Sequence, residues 1–150
     1  MVVDHMITNF HNPEYTFLSN FFPVKITFEG MVFPTIEHAY QAAKTTIRAE
    51  RELIQRAPTP GKAKRLGRTV TQRIGWSNIK VMIMHELLIQ KFRDNLLLGA
   101  KLLETQSHIL IEGNTWGDTF WGCVARNDVW EGENVLGKLL MLVRDDLTKH

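Results

Sequence analysis

The stretch PTIEHAYQAAK, residues 34–44, contains the clearest helix start in the sequence. Thr35 is a preferred N-cap residue and directly follows a proline. Apolar residues then recur at the three- and four-residue spacing of one helix face, at Ile36, Ala39, Tyr40, Ala43 and Ile47. This pattern predicts an amphipathic helix that continues to about Arg56.

The segments on either side of this helix also carry local signals. Apolar and polar residues alternate over 24–28, Glu29-Gly30 supplies a turn, and 31–33 is apolar again, which predicts a small β-hairpin. After the helix, Thr59 is placed to cap a short second helix with Pro60 in its first turn and Gly67 at its end.

Three more helices are predicted further along the chain. The longest has Ser77 as its expected N-cap and runs to about Phe92, another runs from Asn95 to Leu103, and Asn134 opens the last. Residues 108–112 form a short strand or extended run. The predicted fold class is therefore mainly α: a single compact domain of four to five or more helices with a small N-terminal β-hairpin.

Length and composition predict one globular domain over residues 1–150. The chain is 44% hydrophobic and 23% charged, which is ordinary for a globular protein. Its 18 basic and 16 acidic residues give a net charge of +2, too even a balance for a protein whose main task is to grip long nucleic acid. A local basic pocket for one phosphate or diphosphate remains compatible with this charge.

The single cysteine, Cys123, excludes an intramolecular disulfide and favours a reducing compartment. Residues 1–5 lack the basic and apolar regions of a signal peptide, and no apolar run reaches the ~18 residues of a membrane span. We therefore expect a cytoplasmic protein without a membrane partner.

Several common active sites are missing from the sequence. No GxGxxG or GxxxxGK[ST] motif is present, and His85-Glu86 has no second histidine at the spacing of HExxH. Cys123 fits a small core residue better than a nucleophile. We expect neither a metal nor a cofactor.

Six polar or aromatic segments stand in unusual apolar context. They are FLSNF (17–21), PTIEHAYQAAK (34–44), AKRLGR (63–68) with Trp76, KF (91–92), WGDTFWG (116–122) and NVLGKLLM (134–141). In this order they closely resemble the YbiA-like family, also called NADAR, and the resemblance runs from Asn9 to about Leu147. It implies a mainly helical fold and N-glycosidase activity. The substrates it implies are early riboflavin-pathway intermediates with ribose phosphate on nitrogen or, for some relatives, ADP-ribose on guanine in DNA.

The resemblance implies three catalytic residues. Glu37 matches the glutamate of the family's EHxxQ motif, and Trp76 and Asp118 match the other two active-site positions. Each also has a structural interpretation from the sequence alone. Glu37 in the first turn of a helix would interact favourably with the helix dipole. Trp76 directly before Ser77 could form a hydrophobic staple with Val81, and Asp118 could form an Asx turn in its loop.

Further residues are candidates for substrate binding. Helical spacing places Gln41, Lys44 and Arg48 on roughly the face of Glu37, as either a solvated polar face or a pocket wall with Lys44 as a phosphate or ribose ligand. Lys64 and Arg68 flank a helix end, where basic residues are favourable in any case, and are candidate diphosphate ligands. The remaining candidates within the matching segments are Asn20, Trp121 and Asn134. The loop 123–133 departs from the family's glycine-rich pattern.

Three functions follow as hypotheses. The first is an N-glycosidase for a small ribosylated, phosphate-bearing metabolite, in which Glu37 and Asp118 are the two carboxylates and Trp76 holds the base; either acid could activate water. The second is an ADP-ribosyl hydrolase acting on guanine in nucleic acid. The third is a non-catalytic module that binds NAD or ADP-ribose.

Overall fold

The structure is a computed structural model that describes residues 5–149. Residues 1–4, on which the expected absence of a signal peptide partly rests, lie outside the described residues. The described chain is mainly α-helical. In chain order its elements are β1 (Met6–Ile7), a 3-10 turn (Thr16–Leu18), β2 (Ile26–Phe28), β3 (Met31–Phe33), α1 (Ile36–Ala43), α2 (Arg48–Gln55), α3 (Pro60–Leu66), α4 (Trp76–Arg93), α5 (Leu96–Glu104), β4 (Ile109–Leu110), β5 (Val124–Arg126), β6 (Val129–Glu131) and α6 (Val135–Thr148).

The mainly α prediction is confirmed, with six helices within residues 5–149 and sheets of two strands each. Contacts divide the chain into two units, residues 20–94 and residues 1–19 with 95–150. The prediction of one domain over 1–150 stays a prediction. Of the helices described, none is long and apolar enough to cross a membrane.

The unit of residues 20–94 contains the predicted β-hairpin, in which β2 and β3 pair antiparallel. Ile26 pairs with Phe33 and both are buried, as the alternating pattern requires. Gln90 of α4 fixes the hairpin, because its side-chain amide exchanges hydrogen bonds of 2.6 and 2.8 Å with the backbone of Thr27. In the same unit α1 packs against α2, α3 and α4.

The helix predicted from residue 36 to about Arg56 is interrupted, which corrects the sequence interpretation. α1 ends at Ala43, and α2 begins at Arg48 after an extended residue, Ile47. Thr45 stabilises the break: its hydroxyl donates to Glu50 Oε1 at 2.6 Å and accepts from the Ile47 amide at 3.1 Å.

The other unit contains α5, α6, β1, β4 and a second hairpin that the sequence did not predict. β1 pairs parallel with β4, which lies in the segment predicted as extended. The second hairpin, β5–β6, occupies most of the loop 123–133. Asn127 and Asp128 at its tip have φ values of 51° and 64°, the left-handed conformation of a type I′ turn.

Candidate active site

Helix α1 is buried along its whole length, so Glu37 and Gln41 do not lie on the solvated polar face considered from the sequence. All eight of its residues are buried, with Glu37 7% and Gln41 4% exposed. Burying a carboxylate and an amide is unfavourable unless polar groups surround them. This makes the face of Glu37 and Gln41 a candidate site rather than a surface.

Thr35 and His38 fix the start of α1. Thr35 Oγ1 accepts from the His38 amide at 3.1 Å and lies 2.7 Å from His38 Nδ1, while His38 Nε2 lies 3.0 Å from the Ala57 carbonyl oxygen. Because a carbonyl can only accept, Nε2 carries the proton and Nδ1 accepts from the Thr35 hydroxyl. Burial lowers the pKa of His38, which favours this neutral form.

Glu37 is held from two sides within this unit. Its amide donates to the Asn20 carbonyl oxygen at 3.1 Å, and Gln41 Nε2 donates to its Oε1 at 3.4 Å. The Gln41 side chain in turn packs closely against Gly67 at the end of α3. A Cβ on Gly67 would overlap Gln41 Oε1 and lie 2.6 Å from Gln41 Cδ. The absence of a side chain at Gly67 thus lets Gln41 reach Glu37.

Two acceptor atoms beside Glu37 are buried without a hydrogen-bond partner among the described residues, Asn20 Oδ1 and Gln41 Oε1. Asn20 Nδ2 has Met84 Sδ at 3.5 Å, a weak acceptor. Unsatisfied buried acceptors are unfavourable in a purely structural core and are common at binding sites.

Positive charge gathers around Lys44, whose charge also interacts with that of Glu37. Lys44, the C-cap of α1, is half-buried with Nζ 5.7 Å from the Tyr40 ring centroid. Burial lowers the pKa of Lys44, Glu37 raises it, and three neighbouring cations lower it further: Arg68, Lys64 and Lys80. We call Lys44, Lys64, Arg68 and Lys80 the cation cluster.

Lys80 was not predicted, although it lies one helical turn after Trp76, a spacing that places both on the same face of α4. The break before α2 removes the helical spacing that was expected to place Arg48 on the face of Glu37, so this spacing does not bring Arg48 to the cation cluster. It forms an exposed ion pair with Glu52, with Nε and Oε1 3.1 Å apart.

Trp76 is the first residue of α4, and Gly75 with φ 78° is the N-cap. The prediction of Ser77 as N-cap, with Trp76 as a staple before it, is therefore wrong. Trp76 is 5% exposed, and its ring packs against Tyr40 with centroids 5.3 Å apart. Because Tyr40 belongs to α1, the pair of Tyr40 and Trp76 lies beside Lys44 and Glu37.

Asp118 lies in the other unit, where its local contacts form the Asx turn considered from the sequence. Its Oδ1 accepts from the amides of Phe120 at 3.1 Å and Trp121 at 2.9 Å. The Asn114 side chain stabilises this turn, because its Oδ1 accepts a hydrogen bond from the Asp118 amide and its Nδ2 donates one to the Asp118 carbonyl. Both carboxylate bonds use Oδ1, and Asp118 is half-buried.

Asn134 and Trp121 also belong to this unit. Asn134 Nδ2 donates to the Leu110 carbonyl at 2.9 Å and its Oδ1 accepts from the Glu112 amide at 3.0 Å, so its amide stabilises the fold. Trp121 is half-buried with its ring edge-on to Phe120, and its carbonyl accepts from the Leu136 amide at the start of α6. Their roles in substrate binding stay predictions.

Cys123 is buried, and its Sγ lies 3.6 Å from the Gly132 carbonyl. Burial and then the Glu112 carboxylate raise the pKa of the thiol, whereas Lys138 lowers it. A protonated thiol is a poor nucleophile. Within residues 5–149, no three His, Cys, Asp or Glu side chains are grouped so that they could hold a metal ion.

Comparison with protein families gives a match over residues 7–148 to the model described as NADAR domain. The chain is 35% identical over 150 residues to the N-glycosidase YbiA of Escherichia coli, covering 97% of this chain and 91% of that protein. It is 38% identical over 138 residues to the N-glycosidase Npun_R5314 of Nostoc punctiforme, covering 89% and 86%.

A third relative is longer. The chain is 37% identical over 145 residues to the riboflavin biosynthesis protein VVA0006 of Vibrio vulnificus, but spans only 38% of that protein's length. Among solved structures, the NMR structure of E. coli YbiA matches with a TM-score of 0.83 and 34% identity, covering 99% of this chain and 88% of that one.

Proposed function

Because the chain belongs to the NADAR domain family, we propose that it is an N-glycosidase that hydrolyses the C–N bond of a small ribosylated, phosphate-bearing metabolite. The relatives named N-glycosidase, over most of their length, support the reaction class. The observation that carries the proposal is one buried carboxylate, Glu37, whose charge acts on Lys44, the residue on which the other three charges of the cation cluster also act.

The reaction needs a negative group at the sugar. As the C–N bond breaks, positive charge develops on the ribose, and a nearby carboxylate stabilises it while water attacks the anomeric carbon. Glu37 supplies this carboxylate, and Gln41 donates to Oε1 and so orients it. The departing base takes a proton, and the ribose gains the hydroxyl of water.

The cation cluster fits the phosphate of the substrate. Lysine and arginine bind phosphate oxygens through charge-assisted hydrogen bonds. Burial and mutual repulsion lower the pKa of Lys44, and a bound anion would offset this repulsion. The name of the Vibrio vulnificus relative favours an early riboflavin-pathway intermediate as the metabolite.

We assign water activation to Glu37 rather than Asp118. Asp118 Oδ1 already accepts two backbone hydrogen bonds, which suits a carboxylate with a fixed orientation. The role of Asp118, as the second carboxylate or in orienting ribose hydroxyls, stays a prediction.

An ADP-ribosyl hydrolase acting on guanine in nucleic acid is the second candidate. The four residues of the cation cluster carry enough positive charge for a diphosphate, the group that distinguishes ADP-ribose from a ribose monophosphate. A flipped base would need only local contacts, so the net charge of +2 is compatible with it.

The direct test is incubation of the protein with ribosylated compounds, followed by mass spectrometry of the free base. The panel contains riboflavin-pathway intermediates, their dephosphorylated forms, and ADP-ribosylated guanine in an oligonucleotide. Release from the phosphorylated metabolites supports the first function, and release from the oligonucleotide alone would replace it with the second.

Turnover is expected to survive EDTA, because the proposed chemistry uses only carboxylates and water.

Lys44→Met is expected to raise KM for a phosphorylated substrate about tenfold or more, because a charge-assisted hydrogen bond is lost. The dephosphorylated substrate should show a much smaller change. Steady-state kinetics with both substrates measure the difference. Lys62→Met, an exposed lysine on α3, is the control and should leave both KM values unchanged. An equal effect of Lys44→Met on both substrates would contradict a phosphate role.

Gly67→Ala is expected to lower kcat about tenfold or more, because the methyl group displaces Gln41 and so misplaces Glu37. Gly61→Ala is the control on the same helix: a Cβ there would meet only Thr59 Oγ1, at 4.0 Å. Combining Gly67→Ala with Gln41→Ala makes a double-mutant cycle. If Gly67→Ala lowered kcat equally with and without the Gln41 side chain, the positioning role would be wrong.

Trp76→Phe is expected to reduce both stability and substrate affinity. The loss of buried ring volume should lower the free energy of unfolding by about 1–2 kcal/mol. A smaller stacking surface should raise KM clearly. Leu88→Val, a buried substitution on α4, controls for destabilisation alone. Urea titration and kinetics separate the two effects, and an unchanged KM would make Trp76 a structural residue.

A further inference from the structure

A groove of about 530 Å³ lies within the unit of residues 1–19 and 95–150. Three aromatic rings line it, those of His11, Trp116 and Trp130. The remaining lining residues are small or polar and uncharged, among them Asn9, Thr115 and Ala125. A concave site with aromatic walls and a few polar groups is typical of a small-molecule site.

The hairpin β5–β6 forms one wall of this groove. Ala125 pairs with Trp130 across the hairpin, and directly paired residues project from the same face. The small alanine therefore leaves space beside the indole. Gly113 allows the indole to lie close, because a Cβ there would be 2.8 Å from Trp130 Cη2 and would overlap the Thr8 carbonyl oxygen.

Trp116 and His11 form a second aromatic surface of the groove. Trp116 is 52% exposed, and its ring lies edge-on to the His11 imidazole with centroids 5.8 Å apart. The adjoining backbone is fixed, because Asn114 accepts from the Asp118 amide at 3.0 Å. A large aromatic ring is thus presented to solvent from an ordered loop.

We propose that this groove binds an uncharged planar heteroaromatic ring, with the chemistry of a nucleobase, stacked on Trp116. Every nucleobase has a π-face that stacks on aromatic side chains. The Thr115 hydroxyl and the His11 imidazole supply hydrogen bonds to the ring edge. Among the described residues no lysine or arginine lines the groove, so the lining offers no cationic side chain to a phosphate group. The proposal does not depend on N-glycosidase activity.

The test is NMR titration of the indole N–H signals, of which the sequence has four, with adenosine as the probe. The signals of Trp116 and Trp130, assigned from Trp→Phe variants, are expected to shift. Ribose 5-phosphate, which has no aromatic ring, should leave both unmoved. A deoxyadenosine hexamer is the second arm: tighter binding than adenosine identifies an unpaired base of a strand as the source, and weaker binding identifies a free nucleoside.

Trp116→Ala is expected to weaken adenosine binding about fivefold or more, through loss of stacking. Ala125→Leu should weaken it by filling the groove from the hairpin without altering Trp116. The matched control is Val129→Ala, an exposed residue whose pair with Arg126 projects from the opposite face of the same hairpin. The proposal is overturned if adenosine leaves both indole signals unmoved, or if Val129→Ala weakens binding as much as Trp116→Ala.

Discussion

Replacing Glu37 with glutamine is expected to lower kcat/KM about 100-fold or more. The amide keeps the size of the side chain and can still accept from Gln41 Nε2, so local geometry should be retained. What is lost is the negative charge that stabilises the ribose cation and activates water. Because Glu37 is 7% exposed, solvent would not replace that charge.

Kinetics and thermal melting on the same preparation measure this effect. Glu52→Gln is the control, since Glu52 is also a helical glutamate of this unit but pairs with Arg48 and Arg56 at the surface. It should leave kcat/KM unchanged. Near-normal turnover by folded Glu37→Gln protein would remove Glu37 from the mechanism.

The elements with local signals could be predicted from the sequence. Thr35 caps α1, accepting from the His38 amide as expected, and Thr59 caps α3 in the same way from the Lys62 amide. The β2–β3 hairpin has Glu29 and Gly30 at positive φ in its turn. These features depend on residues within four positions of each other, so the sequence alone specifies them.

Features that depend on distant residues could not be predicted. The break after α1 places Thr45 in the core, where its carbonyl accepts from Arg51 Nε at 2.7 Å, and apolar spacing alone cannot distinguish this from a continuous helix. β1 and β4 pair across about a hundred residues. The β5–β6 turn uses Asn127 and Asp128 rather than the Asn-Gly or Asp-Gly pairs that predict such turns.

The candidate site divides in the same way. The helical spacing predicts that Gln41 and Glu37 share one face, and in the structure Gln41 Nε2 donates to Glu37 Oε1, since residues four apart meet on a helix. The resemblance contributed Lys64 and Arg68, which lie far from Glu37 in sequence. Lys80 had no sequence signal, because the expected N-cap at Ser77 placed Trp76 outside the helix and so hid the one-turn spacing between Trp76 and Lys80. The contact of Gly67 with Gln41 has no sequence signal beyond a glycine at a helix end.

Lys91 on α4 is expected to make the stability of the protein depend on pH, whatever reaction the protein catalyses. Its side chain is fully buried, with Nζ 5.5 and 5.1 Å from the ring centroids of Phe22 and Phe92. Burial lowers the pKa of Lys91 from 10.5 to about 7. Between these two pH values the unfolded chain binds a proton that the folded protein does not. The Lys91 contribution to stability therefore increases as pH rises from about 7 to 10.5 and is constant below that window.

Lys91→Met is expected to remove this pH dependence, because methionine fills a similar volume and does not titrate. Compared with the wild type, its free energy of unfolding should therefore be more favourable at pH 6.5 than near pH 10, because only the wild type loses stability as the pH falls from 10.5 to about 7. Urea unfolding at pH 6.5, 8 and 9.5 measures how the free energy of unfolding changes with pH in the wild type and in Lys91→Met. Lys25→Met, an exposed lysine, should keep the wild-type slope, and an unchanged slope in Lys91→Met would show that the buried ammonium does not cause it.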